Sequence, residues 1–354
     1  MMKKQSLFQA LGLSAASVAF GFALTGLTVP SARAETALTV YTTTASEDLK
    51  LYRKRFNKVH PDIKIRWVRD STGIITSKLL SEKDNPQADY VHVLASTSMM
   101  IMAKQGMFHP YKPKGYDNIA KKFKDRADPP NWVGNFAYIA TVCFNEIEAK
   151  KRNLPKPKAW KDLLNPAYKG QIVMSNPNSS GTGYLNVSAW IQTMGEDAAW
   201  TFLDGLHENI AVYLHSGSKP CVMAATGEFT VGISFAFRGV KEKKKGAPID
   251  ILSPSEGLGW EMVSSGIIKG TKNLEAAKKF ADWANSEDAN RLYNRDYAVI
   301  SIPSLANPVQ HYPEKPLSKM IDNDFYWAAD NRKRVLAEWS KRYDSKSAPK
   351  KKKK

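Results

Sequence analysis

The chain has 354 residues and a formal charge of +18. About 320 residues remain once an export leader is set aside, too many for one small core, so two lobes are expected. No apolar stretch beyond that leader approaches the ~20 residues needed to span a bilayer.

Lys3 and Lys4 precede an apolar stretch from Leu7 to Leu27, and Ala32-Arg33-Ala34 supplies an A-x-A cleavage site. Residues 1–34 are therefore predicted to be a cleaved signal peptide, and the mature protein is expected in a bacterial periplasm. That compartment allows a Cys143–Cys221 disulfide, with two buried thiols as the alternative.

In chain order, Leu38 to Tyr41 reads as a strand. Ser46 then caps a helix carrying Leu49, Tyr52, Phe56 and Val59 on one side, and Pro61 follows its end. Ile63 to Val68 and Ala88 to Leu94 are further strands, with helices through Ile75–Leu80 and Met99–Gln105. Phe136 to Phe144 is an apolar run suited to passing between lobes. Gln171–Met174, Ile210–Leu214, Val231–Phe237 and Ile249–Leu252 read as strands, and a helix runs through Leu185 and Trp190. Glu261 to Ile268 carries the chain back towards the first lobe. Asn273 caps an amphipathic helix, and Phe325 to Trp339 is a final one. The run Lys350–Lys354 has no apolar partner, so residues 346–354 are expected to be a disordered basic tail. Such a tail is solvated or meets anionic headgroups; no nucleic-acid partner is expected of an exported protein.

The alternation implies an α/β fold with mostly parallel sheets and loops gathered at the strands' C-terminal ends, where such sheets bind ligands. Five hydroxyl-rich clusters sit at these turns: Thr42-Thr43-Thr44, Ser71-Thr72-Gly73, Ser96-Thr97-Ser98, Ser179-Ser180-Gly181-Thr182-Gly183 and Ser216-Gly217-Ser218. Hydroxyls and unpaired N–H groups at helix starts suit a tetrahedral oxyanion. Catalytic signatures do not appear. There is no HExxH, Walker A loop or GxSxG elbow, and no histidine pair at metal-ligand spacing, so neither an enzyme nor a cofactor is predicted.

Several segments carry a resemblance: Val68-Arg-Asp-Ser-Thr-Gly-Ile-Ile-Thr76, Asp84-Asn-Pro-Gln-Ala-Asp89, Asn176-Pro-Asn-Ser-Ser-Gly-Thr-Gly183 and His215-Ser-Gly-Ser-Lys-Pro-Cys221. Gly246-Ala-Pro-Ile-Asp250, Glu256-Gly-Leu-Gly-Trp260 and Lys269-Gly-Thr-Lys-Asn-Leu-Glu-Ala-Ala277 belong with them. The chain resembles type II periplasmic solute-binding proteins of ABC importers, most of all the 2-aminoethylphosphonate-binding subgroup. The resemblance implies two α/β lobes joined by crossing strands, a ligand trapped between them, and delivery to ABC permease subunits by a monomer. The expected division is lobe 1 at 35–138 plus 263–300, lobe 2 at 139–262, and a C-terminal helical segment at 301–345.

For the phosphonate the expected donors are Ser179, Ser180, Gly181 and Thr182, then Thr72, Gly73, Ser96, Thr97, Thr42, Thr43, Ser216 and Ser218. Each has a plain alternative as a helix cap or turn residue. For the ammonium, Glu261 is a candidate carboxylate, with Glu228, Glu256 and Asp296 as others; Trp132 and Trp260 offer a π-face, Tyr297 a hydroxyl, and Phe235 alternates with Phe237 on a strand with one face towards the cleft. Their alternatives are surface charge and core packing. The polar strand Tyr90-Val91-His92-Val93 is unexpected if it faces the cleft. A ferric-ion binder of the same fold is the alternative, disfavoured because no Tyr-Tyr pair occurs and phenylalanines stand in Ser234-Phe-Ala-Phe-Arg238. A binder of another small organophosphorus or polyamine solute is a further one.

Overall fold

The computed structural model describes residues 36–349. The expected leader and the run Lys350–Lys354 lie outside the described residues. The first strands are β1 (Thr36–Thr42), β2 (Ile63–Arg69), β3 (Tyr90–Ala95), β4 (Phe108–His109) and β5 (Val133–Asn145). After them come β6 (Ile172–Ser175), β7 (Ile210–Leu214), β8 (Val231–Phe235), β9 (Ile249–Leu252), β10 (Trp260–Ile268) and β11 (Val299–Ile300).

One half of the sheet runs β2-β1-β3-β10-β5 and the other β5-β8-β6-β7. Pairing is parallel among β1, β2 and β3 and among β6, β7 and β8. It is antiparallel wherever β5 or β10 takes part. Each half is thus mixed, with a parallel core and antiparallel crossing strands. β5 is shared: up to Ile139 it pairs with β10, and from Ala140 onward with β8. Ala140 N–H donates to Gly259 O (2.8 Å) where the two strands cross. All thirteen residues of β5 are buried, in keeping with its largely apolar sequence. β2 instead buries Ile63 and Ile65 and exposes Lys64 and Arg66.

Helices cover both halves. The Leu274–Ala284 helix buries Phe280 and Trp283. Phe280 meets Phe56, Tyr90 and His92 with ring centroids 5.0–5.4 Å apart. The polar strand Tyr90–Val93 therefore turns Tyr90 and His92 into an aromatic core, away from any cleft. His92 is kept neutral because burial drives its pKa down to about 3, and its Nδ1 lies 3.1 Å from Ser265 Oγ. The strand expected at Val231–Phe237 ends at Phe235, and Ala236–Lys244 is helical. Glu196–Asn209 is a helix that the sequence reading did not single out.

Cys143 on β5 and Cys221 on the Lys219–Ala225 helix form a disulfide, with Cα atoms 5.2 Å apart. It closes a segment 78 residues long. Replacing both cysteines with alanine is expected to cost about 2–4 kcal/mol, read as a lower urea midpoint. An unchanged midpoint would show that the bridge adds nothing.

The expected disorder from residue 346 does not hold for residues 346–349. Lys346 Nζ donates to Ile210 O (2.9 Å), Ser347 forms a parallel bridge with Tyr213, and Ala348 N–H donates to Tyr213 O (2.9 Å). The edge of β7 supplies backbone partners that composition does not reveal.

Candidate functional site

Four of the five hydroxyl clusters converge on a cavity of about 80 Å³, room for several water-sized groups. One wall is the start of the Gly181–Met194 helix. Ser180 is its N-cap, with Oγ accepting from Gly183 N–H (3.4 Å). Gly181 and Thr182 stand in the first turn, where N–H groups have no intrahelical acceptor and the helix end is partly positive. Ser216, Gly217 and Ser218 form the adjoining wall. Their loop is fixed from below: Ser175 Oγ donates to Ser216 O (3.0 Å) and Ser234 Oγ to Gly217 O (2.5 Å).

Facing them are Thr43, Thr44, Arg69, Ser71 and Thr72 from the other half. Arg69 Nε donates to Thr44 O (3.1 Å), which ties β2 to the loop after β1. Val93 also lines the cavity and holds φ at +55°, costly for a β-branched residue. Its carbonyl accepts from both the N–H and the hydroxyl of Thr43. The back is aromatic: Tyr138, Phe136, Phe235 and Tyr297, with Tyr297 stacked on Phe136 at 3.9 Å. Among the described residues no carboxylate lines the cavity and Arg69 is its one cation.

The two halves touch across this space. Gly73 N–H donates to Ser179 O (3.1 Å) and Ser71 Oγ to His215 O (3.4 Å). His215 Nε2 sits 2.7 Å from Ala348 O and Nδ1 2.8 Å from Ser179 Oγ. A carbonyl only accepts, so Nε2 is the donor to Ala348 O. Behind the cavity, charged side chains also cross between halves. Lys241 Nζ lies 2.9 Å from Asp48 and 3.8 Å from Asp296, and Arg238 lies 2.8 Å from Glu47. Asp48, Asp296, Lys241 and Arg238 are all largely buried there.

Of the residues expected at a ligand, Thr43, Thr72, Ser180, Gly181, Thr182, Ser216, Ser218, Phe235 and Tyr297 line the cavity. The others lie elsewhere. Thr42 is buried with its hydroxyl donating to Thr44 Oγ1 (2.8 Å). Ser96 bonds Ser264 on β10, and Thr97 Oγ1 donates to Glu261 Oε2 (2.7 Å). Gly73 and Ser179 form the contact between halves rather than the lining. Trp132 is core, and Glu261 is buried behind the wall. The remaining acidic candidates are engaged as well. Glu256 accepts from Trp160 N–H (2.9 Å), Asp296 pairs with Lys241 and Lys244, and Glu228 meets Thr226. Sequence reasoning missed Arg69, Val93, Phe136, Tyr138 and Val263. Arg69 alone carried a signal, as a cation two residues before a hydroxyl cluster.

Two α/β halves joined by crossing strands, with a donor-lined cavity between them, define a solute-binding protein. Residues 88–327 match the family model for bacterial extracellular solute-binding proteins, and the chain belongs to that family. An uncharacterized protein of Haemophilus influenzae is 32% identical over 338 residues, spanning 93% of this chain and 96% of that protein. The periplasmic binding protein AfuA of Actinobacillus pleuropneumoniae, solved with exogenous fructose-6-phosphate bound, superposes with a TM-score of 0.82 at 31% identity, over 88% of this chain and 99% of AfuA. A putative 2-aminoethylphosphonate-binding periplasmic protein of Salmonella typhi is 22% identical over 266 residues, 72% of this chain and 76% of that protein.

Proposed function

We propose that this protein captures a small phosphorylated organic anion, a sugar phosphate foremost, in the periplasm and passes it unchanged to the permease of an ABC importer. One observation carries the reading: the cavity offers a helix N-terminus, hydroxyls and Arg69, and among its described lining no carboxylate. Such a lining favours a phosphoryl group and repels nothing about it. The likeness to AfuA supports a sugar phosphate as the remainder. The lobes are taken as 35–138 plus 263–300 and 139–262, closing along the contact of Gly73 with Ser179.

2-Aminoethylphosphonate is the second reading, favoured by the Salmonella typhi relative. Its ammonium would find only the aromatic wall of Tyr138, Phe235 and Tyr297, because every acidic candidate is engaged elsewhere. It is therefore expected to bind more weakly than a sugar phosphate. Iron is not favoured on the sequence: no Tyr-Tyr pair occurs, and phenylalanines stand in Ser234-Phe-Ala-Phe-Arg238.

Calorimetry on the protein purified from periplasm tests this with fructose 6-phosphate, 2-aminoethylphosphonate, inorganic phosphate, spermidine and ferric citrate. Heat is expected with fructose 6-phosphate, and Arg69→Met should weaken its binding by about tenfold, the worth of one charge-assisted contact. Tightest binding of 2-aminoethylphosphonate would establish the second reading. Heat with spermidine or iron alone would overturn both.

A further inference from the structure

Arg332 has no role in the cavity lining, yet its setting is unusual. It projects from the Phe325–Tyr343 helix into the core and is 6% exposed. Its guanidinium carbon lies 4.3 Å from the centre of the Tyr184 ring, and Nη1 is sealed with no hydrogen-bond partner. No carboxylate forms an ion pair with it among the described residues. The one carboxylate acting on it electrostatically is Glu261, itself 4% exposed, which accepts from Thr97 Oγ1 (2.7 Å) and Met262 N–H (3.0 Å).

Both groups act on Tyr138, which lines the cavity. Tyr184 is in the first turn of the helix whose start forms the cavity wall. Tyr138, on the aromatic wall, is the register partner of Glu261 between β5 and β10. A buried cation without a counter-charge costs several kcal/mol unless something compensates it. Among the described residues Glu261 is the one carboxylate acting on it, and it makes no ion pair, whereas an anion in the cavity would add a second negative charge beside Tyr138.

We propose that Arg332 is the buried counter-charge of the bound anion and that Glu261 sets how much of that charge the cavity feels. The proposal rests on the reading that the cavity takes an anion. Phosphate is held at its oxygens by hydroxyls and N–H groups, while Arg332 contributes a field without contact. Arg332 remains charged, although burial lowers its pKa and Tyr184, Glu261 and Tyr138 oppose that shift. Burial lifts the Glu261 carboxyl to about 7, against the pull of Thr97 and Arg332. Titratable groups facing it are Tyr138 on β5, Tyr184 on the Gly181–Met194 helix and Arg332; Thr97 faces it from the Ser96–Lys104 helix. Above that pH Glu261 is an anion and cancels Arg332; below it the cavity feels the full cation. The same raised pKa means that Glu261 contributes stability at acid pH that is lost as pH rises through about 7.

Arg332→Met keeps the stem over Tyr184 and removes the charge. It is expected to weaken fructose 6-phosphate and inorganic phosphate by about tenfold while the melting temperature of the free protein holds or rises. Glu261→Gln should bind both more tightly than the parent at pH 8 and equally at pH 6. Comparison at equal pH removes the ligand's own titration. Unchanged affinity in Arg332→Met overturns the proposal, as does a parallel fall of affinity and melting temperature, which would mark a structural arginine. Should Arg332→Met not fold, Glu261→Gln decides alone, and equal affinity with the parent at pH 8 overturns it. A parent protein that binds none of the anions overturns the functional reading and this inference together.

Discussion

Alanine at position 73 should leave the free protein folded, even slightly more stable, while solute affinity falls by roughly 10- to 100-fold. Gly73 has helical backbone in the Thr72–Ser81 helix, where alanine is preferred over glycine by about 1 kcal/mol. The penalty arises across the cleft. A Cβ at Gly73 would lie 2.2 Å from Asn178 O and 2.9 Å from Ser179 Cα, both backbone atoms. Neither can swing aside as a side chain would, so the halves cannot reach the distance that lets Gly73 N–H donate to Ser179 O. Overpacking of this kind costs about 1–3 kcal/mol, and every 1.4 kcal/mol is about tenfold in affinity. The free protein escapes the clash by opening. Calorimetry and thermal melts on one sample check the pair of effects. Full affinity in Gly73→Ala would mean that the contact does not form in the bound state.

The second large effect concerns the charges behind the cavity. Lys241→Met should speed solute release by roughly 100-fold or more, since removing one member of a largely buried ion pair costs about 3–5 kcal/mol. Lys241 comes from the helix that follows Phe235, Asp48 from the helix that follows Thr44, and Asp296 precedes Tyr297. Each charge thus sits next to a piece of cavity lining, and the three meet only when the halves are together. Without Lys241, Asp48, Asp296 and Glu47 would face one another with Arg238 and Lys244 as remaining partners. Burial already raises the Asp48 pKa, and losing the lysine raises it further, so acid pH should recover part of the lost residence time. Stopped-flow release measures the rate. Exchanging the charges, Asp48→Lys with Lys241→Asp, should restore slow release; a doubly exchanged protein as fast as Lys241→Met would refute the latch.

How much of this could be read from residues alone follows from what each signal depends on. Hydroxyls after a short apolar run mark a loop at a strand end, and that rule located Thr72, Ser180, Thr182 and the Ser216 loop. It misled at Ser96 and Thr97, which share the pattern. There β10 runs alongside β3, and its Ser264 and Glu261 take up both hydroxyls inside the core. Strand type followed a similar course. Runs such as Ile172–Ser175 were legible, but the antiparallel course of β5 and β10 depends on partners more than a hundred residues away. Phe136, Tyr138 and Val263 become cavity wall only because those two strands cross. The charge network joins Asp48 to Lys241 over 193 positions, and no local pattern announces such a pair. Arg69 looked like one more solvated cation beside Lys64 and Arg66, and only the fold brings it to the cavity.

The anchoring of Ser347 and Ala348 to β7 has a practical side. Ala348 is held by His215, the neighbour of Ser216 in the cavity wall. Anything fused shortly after this point, whether a purification handle or a fluorescent reporter, would start from a residue held next to the cavity wall. A bulky fusion should be kept away from this end, whereas a small environment-sensitive dye there would turn the protein into a sensor for its own solute.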